Sequence, residues 1–492
     1  MPGPVTPDPA GEEAAGGVRF ASARGRLILL ATVLGSGMAF LDSTVVNVAL
    51  PSIGRDLDAD LAGLQWTINA YALTLAGLLL IGGSLGDHFG RRRIFVFGIA
   101  WFAVASLLCA VAPSIETLIA ARAIQGIGAA LLTPGSLALL QATFHPDDRG
   151  AAIGAWSGLA GVSTAIGPFV GGWLVDAASW RLIFLINLPL AAGVVWAARA
   201  IPESRDPAVQ GQRLDWAGAA LTAVGLTGVT YALTEGPGSG WTDPLTAGAG
   251  VAGVLCLIGF LAVEARGPHP MVPLGVFRSR TFSTANAMTF VVWGALGAVI
   301  FLFAIQLQQV AGFSALEAGS ALIPMTVLML LLSTTAGRVA ARIGPRIPMG
   351  VGPIVASAGL LLMLRIGEGA SYVADVLPAV IVFGLGMSIT VAPLNVTVLA
   401  AAGDEKAGVA SAVNNAVARV ASLLAVAVIP VAAGISGDDY LDPAAFDAGF
   451  RIGIVICAAL YVVGGLIVLV ALRTPATDPA TGTPPPATSP TG

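Results

Sequence analysis

The feature that most constrains this chain is a recurring apolar block of about 20 residues, long enough as a helix to cross a hydrocarbon core about 30 Å thick. Backbone groups in lipid must satisfy one another, so such blocks fold as helices. Charged residues make up 11% of the 492 positions, against about 25% in an average soluble domain, which excludes a soluble fold. Blocks over 27–50, 63–82, 94–112, 117–141, 150–174, 181–200, 216–234, 246–265, 283–310, 317–337, 347–365, 373–402, 407–435 and 452–472 predict an all-α membrane protein with fourteen spans. Most of the 62 glycines lie within these blocks, where small residues let helices approach closely.

The basic residues orient the blocks. With the N-terminus inside, Arg55, Arg181, Arg365 and Arg451 fall outside and Arg122 and Arg419 fall within helices, leaving 18 of the 24 Lys and Arg on the cytoplasmic side. The positive-inside rule therefore predicts cytoplasmic termini and a multi-pass protein of the cytoplasmic (inner) membrane. Residues 1–26 and 474–492 are polar or Pro/Thr-rich and read as disordered tails with nothing to bury. No charged n-region or cleavage site of a signal peptide opens the chain.

Several activities are excluded by what the chain lacks. The only lysine, Lys406, sits in GDEKAG, which is no phosphate-cradling loop, so ATP is not an expected partner. Cys109, Cys256 and Cys457 stand singly in apolar blocks and His88, His145 and His269 are dispersed, without metal or disulfide spacing. Common hydrolase signatures are absent. No cofactor, metal or nucleic acid is expected.

An internal repeat organises the blocks. GGSLGDHFGRRR from Gly82 is echoed by GRVAARIGPRIP from Gly337, placing Gly90 opposite Gly344 at an offset of 254. PDDRGAAIG is echoed by GDEKAGVAS, placing Asp147 opposite Asp404 at an offset of 257. The chain thus divides into a six-helix half at 27–200, two inserted helices with their linkers at 201–282, and a second six-helix half at 283–473. Parallel halves of this kind place a site near the midplane at their interface.

Four motifs carry a family resemblance: LDSTVVNVALPSI from Leu41; Gly83-Ser-Leu-Gly-Asp87-His-Phe-Gly90-Arg91-Arg92-Arg93; Arg122-Ala-Ile-Gln125-Gly126-Ile-Gly128; and Gly167-Pro168-Phe-Val-Gly171-Gly172. Together with WRLIFLINLP from Trp180 and RLDWAG from Arg213, they resemble the fourteen-helix drug:H⁺ antiporters of the major facilitator superfamily. The match covers nearly everything between the tails. His88 stands where that family usually has Arg, and Ser163 where it has an upstream glycine.

The residues suggest roles of their own. A carboxylate within a membrane helix is costly and usually functional. Asp42 sits about 24 Å and 13 Å from the ends of its block at 1.5 Å per residue, and Arg122 enters to a similar depth. Burial disfavours a charged carboxylate and a nearby guanidinium favours it, so a small helix movement between the two could load or release a proton. The alternative is a static ion pair. Asp87, flanked by glycines and followed by Arg91 and Arg92, could cap a neighbouring helix N-terminus and release it as the cytoplasmic face opens, a gate role the resemblance implies. Gly167, Pro168, Gly171 and Gly172 would make helix five kinkable and tightly packed. Asn47, Trp66, Asn69, Tyr71, Gln125, Gln306, Asn414, Asn415 and Arg419 are candidate cavity residues. Glu116, Asp176, Glu235 and Glu264 fall at block ends and read as solvated.

The resemblance implies a proton-coupled exporter of small amphipathic drugs or antibiotics, working by alternating access as a monomer in the lipid bilayer, with the proton gradient as its energy source. Alternatives on the same fold are export of an endogenous metabolite or lipid and proton-coupled uptake. A transport-dead receptor or membrane enzyme would need an appended domain or a nucleophile that the sequence lacks.

Overall fold

The computed structural model describes residues 17–205, 215–266, 274–402, 407–437 and 439–472. Asp404, Lys406, Arg213 and His269, with 1–16 of the N-terminal tail and all of 474–492, lie outside the described residues.

The helices are α1 (Ala23–Leu57), α2 (Leu61–Phe89), α3 (Arg91–Ala110), α4 (Ile115–Thr143), α5 (Pro146–Ala177), α6 (Leu182–Ala200), α7 (Trp216–Ser239) and α8 (Pro244–Arg266). They continue with α9 (Arg280–Val310), α10 (Ala315–Ile343), α11 (Arg346–Arg365), α12 (Tyr372–Ala401), α13 (Ala407–Ala432) and α14 (Pro443–Ala471). Twelve of these are long and apolar enough to cross a membrane, and α2, bent by 49° between Leu61–Leu79 and Ile81–Phe89, makes a thirteenth. Helix α5 runs 32 residues but stands outside that count, so the fourteen expected spans are not all established.

Polar residues between the blocks set where helices begin. Ser22, Asp60, Ser279 and Asp442 each accept from backbone N–H groups of the following first turn, satisfying donors that have no intrahelical partner. Ser114 and Ser314 form reciprocal capping boxes, the latter with Glu317. Helix α1 starts within the stretch read as tail, and Val18 ahead of it bridges to Phe144 in the α4–α5 connection.

The repeat is visible in the packing. In the first half α1 packs on α5, α2 on α4 and α3 on α4; in the second α9 packs on α13, α10 on α12 and α11 on α12. Every pair recurs eight helices later. The halves meet through α2 with α13 and α5 with α10, two contacts that the same eight-helix shift exchanges. The inserted helices pack on each other, and α7 lies against both α2 and α13. Leu73, Ala76, Leu226 and Leu423 form the small apolar cluster at that three-way junction.

The described hydrogen bonds between the halves gather at the end of the bundle away from the chain termini. Gln65 Nε2 donates to the Val426 carbonyl at 3.1 Å, Gln308 Nε2 to Val48 O at 2.9 Å, and the Leu61 N–H to Gly437 O at 3.0 Å. Tyr440 Oη donates to Ala59 O. Asp176, expected to be solvated, caps α10 by accepting from the backbone N–H groups of Ala315 and Leu316 at 3.2 and 2.8 Å.

Candidate functional site

Asp42 and Arg122 meet within the first half. Arg122 Nη1 donates to Asp42 Oδ2 at 2.5 Å, with the Arg122 side chain 1% and the Asp42 side chain 0% exposed. The other carboxylate oxygen accepts from Gln125 Nε2 at 2.8 Å and Asn187 Nδ2 at 3.2 Å. Arg122 also donates through Nε to Thr67 O at 3.0 Å and through Nη1 to Gln125 Oε1 at 2.5 Å. Its guanidinium carbon lies 4.3 Å from the centroid of the Tyr71 ring and 5.7 Å from that of Phe184. Ser106 Oγ accepts from Gln125 and Asn187 at 2.8 and 3.3 Å.

Five helices of one half, α1, α2, α3, α4 and α6, therefore supply this network. Isolated burial of either charge would cost several kcal/mol, of order 3–5 when one partner of a buried pair is removed. Here three side-chain donors, one of them the opposite charge of Arg122, compensate the carboxylate. Arg122 and Gln125, three residues apart on α4, lie on one face, which lets both reach Asp42. A proton arriving at Asp42 would cancel its charge while leaving Arg122 charged in the same enclosure.

The glycine/proline motif divides between two neighbours. A Cβ on Gly167 or Gly171 would strike Thr44 or Val45 of α1, whereas one on Gly172 would strike the Ala315 carbonyl of α10. The Pro168 carbonyl in turn fills the space beside Gly319 of α10. Residues 167 and 171 thus tie α5 into its own half, and 168 and 172 hold it against the other half.

At the turn between α2 and α3, Gly90 takes φ +113°, which L side chains rarely adopt. Asp87 pairs with Arg91 Nε at 2.7 Å and does not cap a neighbouring helix among the described residues. The start of α3 is held by a residue that sequence reasoning passed over. Glu203 Oε1 accepts from the Arg92 N–H at 3.1 Å, and Arg93 Nε lies 3.7 Å from its other oxygen. Gly83 packs near Pro134 of α4.

The candidate cavity residues separate into several environments. Gln125 and Tyr71 are buried within the ion-pair network. Asn47 donates to Ser43 O at 3.1 Å within α1. Gln306 is buried and donates to Ile366 O and Asp447 Oδ1 at 2.8 and 2.7 Å, fastening α9 to α14. Asn414 donates to Asn286 and Thr289 of α9 at 3.2 and 2.8 Å. Trp66 Nε1 donates to Glu235 of α7 at 2.8 Å, so Glu235 has a protein partner rather than only solvent. Asn415 is exposed, Arg419 is half-buried, and Asn69 is fully buried with both amide atoms unpartnered. Glu264 is buried as well, contrary to its expected exposure.

Asn187 and Ser106 also escaped sequence reasoning. The available signal for Asn187 was an amide inside the otherwise apolar run after Trp180.

A long bundle of two repeated halves with a buried acid–base pair in one of them is the architecture of a membrane transporter. The Major Facilitator Superfamily model matches residues 32–426, and the chain belongs to that family: it is a multi-pass membrane transporter of small molecules, not an enzyme. It is 35% identical over 453 residues to the methylenomycin A resistance protein of Bacillus subtilis (strain 168), covering 91% of this chain and 94% of that one. It is also 35% identical to the tetracenomycin C resistance and export protein of Streptomyces glaucescens, covering 82% and 75%. Among solved structures, a crystal structure of the peptide transporter POT in complex with sulfate superposes with a TM-score of 0.65 over 94% of this chain and 98% of that one at 17% identity, a likeness of fold alone.

Proposed function

We propose that the chain is a proton-driven exporter of small amphipathic compounds of the antibiotic or drug type, residing in the cytoplasmic membrane with both termini in the cytoplasm. The observation that carries this reading is the buried Asp42–Arg122 pair in a chain whose relatives are resistance and export proteins. Asp42 takes up a proton from the outer side, its hold on Arg122 weakens, and the guanidinium is left to Gln125, Thr67 O and the Tyr71 ring, which it already engages. Because the five helices sharing this network belong to one half, the change reshapes that half as a unit against the other.

The placement of inter-half bonds away from the termini supports a state closed outside and open toward the cytoplasm. In that state Asp87 rests on Arg91, in keeping with a gate latch that engages a neighbouring helix when the cytoplasmic side closes. The motif in α5 supplies the pivot, with Gly172 and Pro168 against α10. Proton binding and release at Asp42 is the energy-coupling step, with no ATP or cofactor, and the monomer with fourteen spans is the working unit.

The test is the direction of movement in inside-out vesicles. An acid interior should drive accumulation of an antibiotic to which the chain confers resistance in an efflux-deficient host. Accumulation only under the opposite gradient would make the chain an uptake carrier.

A further inference from the structure

The second half holds a buried-face arginine whose chemistry the coupling network does not use. Arg419 lies on α13, thirteen residues from its outer-facing end at Ala432. Its Nε is shielded from solvent with no hydrogen-bond partner, and the side chain joins no ion pair among the described residues. Tyr71 of α2 lies within its electrostatic range.

The register of α2 against α13 says what Arg419 faces. Gln65 of α2 bonds to the Val426 carbonyl, and Leu73 and Ala76 cluster with Leu423 beside Val420 and Ala72. At 3.6 residues per turn, Asn69 falls on the same stripe of α2 as Gln65 and Ala76. Arg419 falls on the same stripe of α13 as Val426, with Asn415 one turn further toward the cytoplasmic end. Asn69 is 0% exposed, yet neither its Nδ2 nor its Oδ1 has a partner. Unpaired buried amides are rare and call for an explanation. The stripes of α2 and α13 that meet at Gln65 and Val426 therefore carry Asn69, with its amide unpartnered, and Arg419, with its Nε unpartnered. The described carboxylates of α9–α14 and their connections, Glu317, Glu368, Asp375, Asp439, Asp442 and Asp447, sit at helix starts or in connections, away from the middle of the bundle.

We propose that Arg419, with Asn69 facing it from α2 and Asn415 one turn away, recognises an ionised acidic group on the exported compound, so that the preferred substrates are amphipathic anions: a carboxylate or similar oxyanion on an apolar body. The proposal deepens, and rests on, the reading of the chain as an exporter. Guanidinium pairs well with such groups because it offers charge-assisted hydrogen bonds in a fixed fork. A cationic drug would meet an uncompensated like charge. Tyr71 stacks on Arg122 and lies within the electrostatic range of Arg419.

The test uses the purified full-length chain with three fluorescent probes: N-dansylphenylalanine, its primary amide and the cation dansylcadaverine. Wild type should bind the carboxylate about tenfold more tightly than the amide, the scale of one charge-assisted contact. Arg419→Gln should abolish that preference while leaving amide affinity within about twofold, which shows that the site still folds, and Arg419→Lys should retain part of the preference. Equal affinity for carboxylate and amide, preference for the cation, undetectable carboxylate binding, or a parallel loss of all probes in Arg419→Gln would overturn the proposal. Reconstitution with an acid interior separates the two readings. If export is wrong, no probe accumulates although the carboxylate preference stands; if the substrate class is wrong, amide or cation accumulates irrespective of Arg419.

Discussion

Two arginines lie inside the bundle, one in each half, and they are opposites. Arg122 is 1% exposed and engages a carboxylate, an amide, a backbone carbonyl and an aromatic ring. Arg419 has none of these hydrogen-bonding partners, and its Nε is shielded. The difference is one of division of labour. A fully compensated charge is a part of the fold that can be disturbed by a proton, whereas an uncompensated one is a part of the fold still waiting for a counter-charge. On the proposed reading the first half serves energy coupling and the second recognition.

Removing each arginine in turn is the strongest way to break this contrast. Arg122→Ala leaves Asp42 buried beside an empty space, and the loss of stability should reach about 3–5 kcal/mol. Arg419→Ala removes a charge that has no compensation, so the expected change is within about 1 kcal/mol and of either sign. Thermal unfolding in detergent at fixed ligand-free conditions compares them, and equal losses would dissolve the distinction.

A smaller effect should distinguish the two faces of α5. Gly172→Val places a branched side chain against the Ala315 carbonyl of the other half, so it should hinder closure at the end away from the termini. Gly171→Val presses on Val45 within the same half and should lower stability instead, by about 1–3 kcal/mol as overpacking does. Cysteine cross-linking across the α5–α10 contact should fall several-fold in the first variant and change little in the second. An effect of similar size belongs to the shell of Asp42. Asn187→Ala removes one of three side-chain donors to Asp42, so it should cost about 1–3 kcal/mol as a lost hydrogen bond to a charged group, with transport reduced but still driven by the pH gradient.

The contrast was half legible in the sequence. Asp42 and Arg122 stood out because charges are scarce in apolar blocks, and simple depth arithmetic placed them at similar depths. Their remaining partners were not legible: an asparagine after an apolar run, or a serine in α3, gains its meaning only when helices from distant parts of the chain converge. Gln306 shows the same limit in the other direction. It looked like a cavity residue, yet it fastens α9 to α14 through Asp447 and the Ile366 carbonyl. Asp176, Glu203 and Glu235 sit at or beyond helix ends, where sequence alone suggests water. Each instead finds a backbone or indole donor on another helix. The repeat was readable from two loop motifs, and the packing pairs extend it to whole helices. The number of spans was harder, because α2 is bent and the Gly- and Pro-bearing α5 falls outside the clear cases.

Whether Asp42 couples proton movement to transport is decided by one comparison. Wild type and Asp42→Asn are reconstituted into vesicles preloaded with unlabelled substrate, and accumulation of labelled substrate is measured with and without an acid interior. Asp42→Asn should keep substrate-for-substrate exchange, which needs no net proton, but lose at least about tenfold of the accumulation driven by the pH gradient. Gradient-driven accumulation as large in Asp42→Asn as in wild type would contradict that coupling.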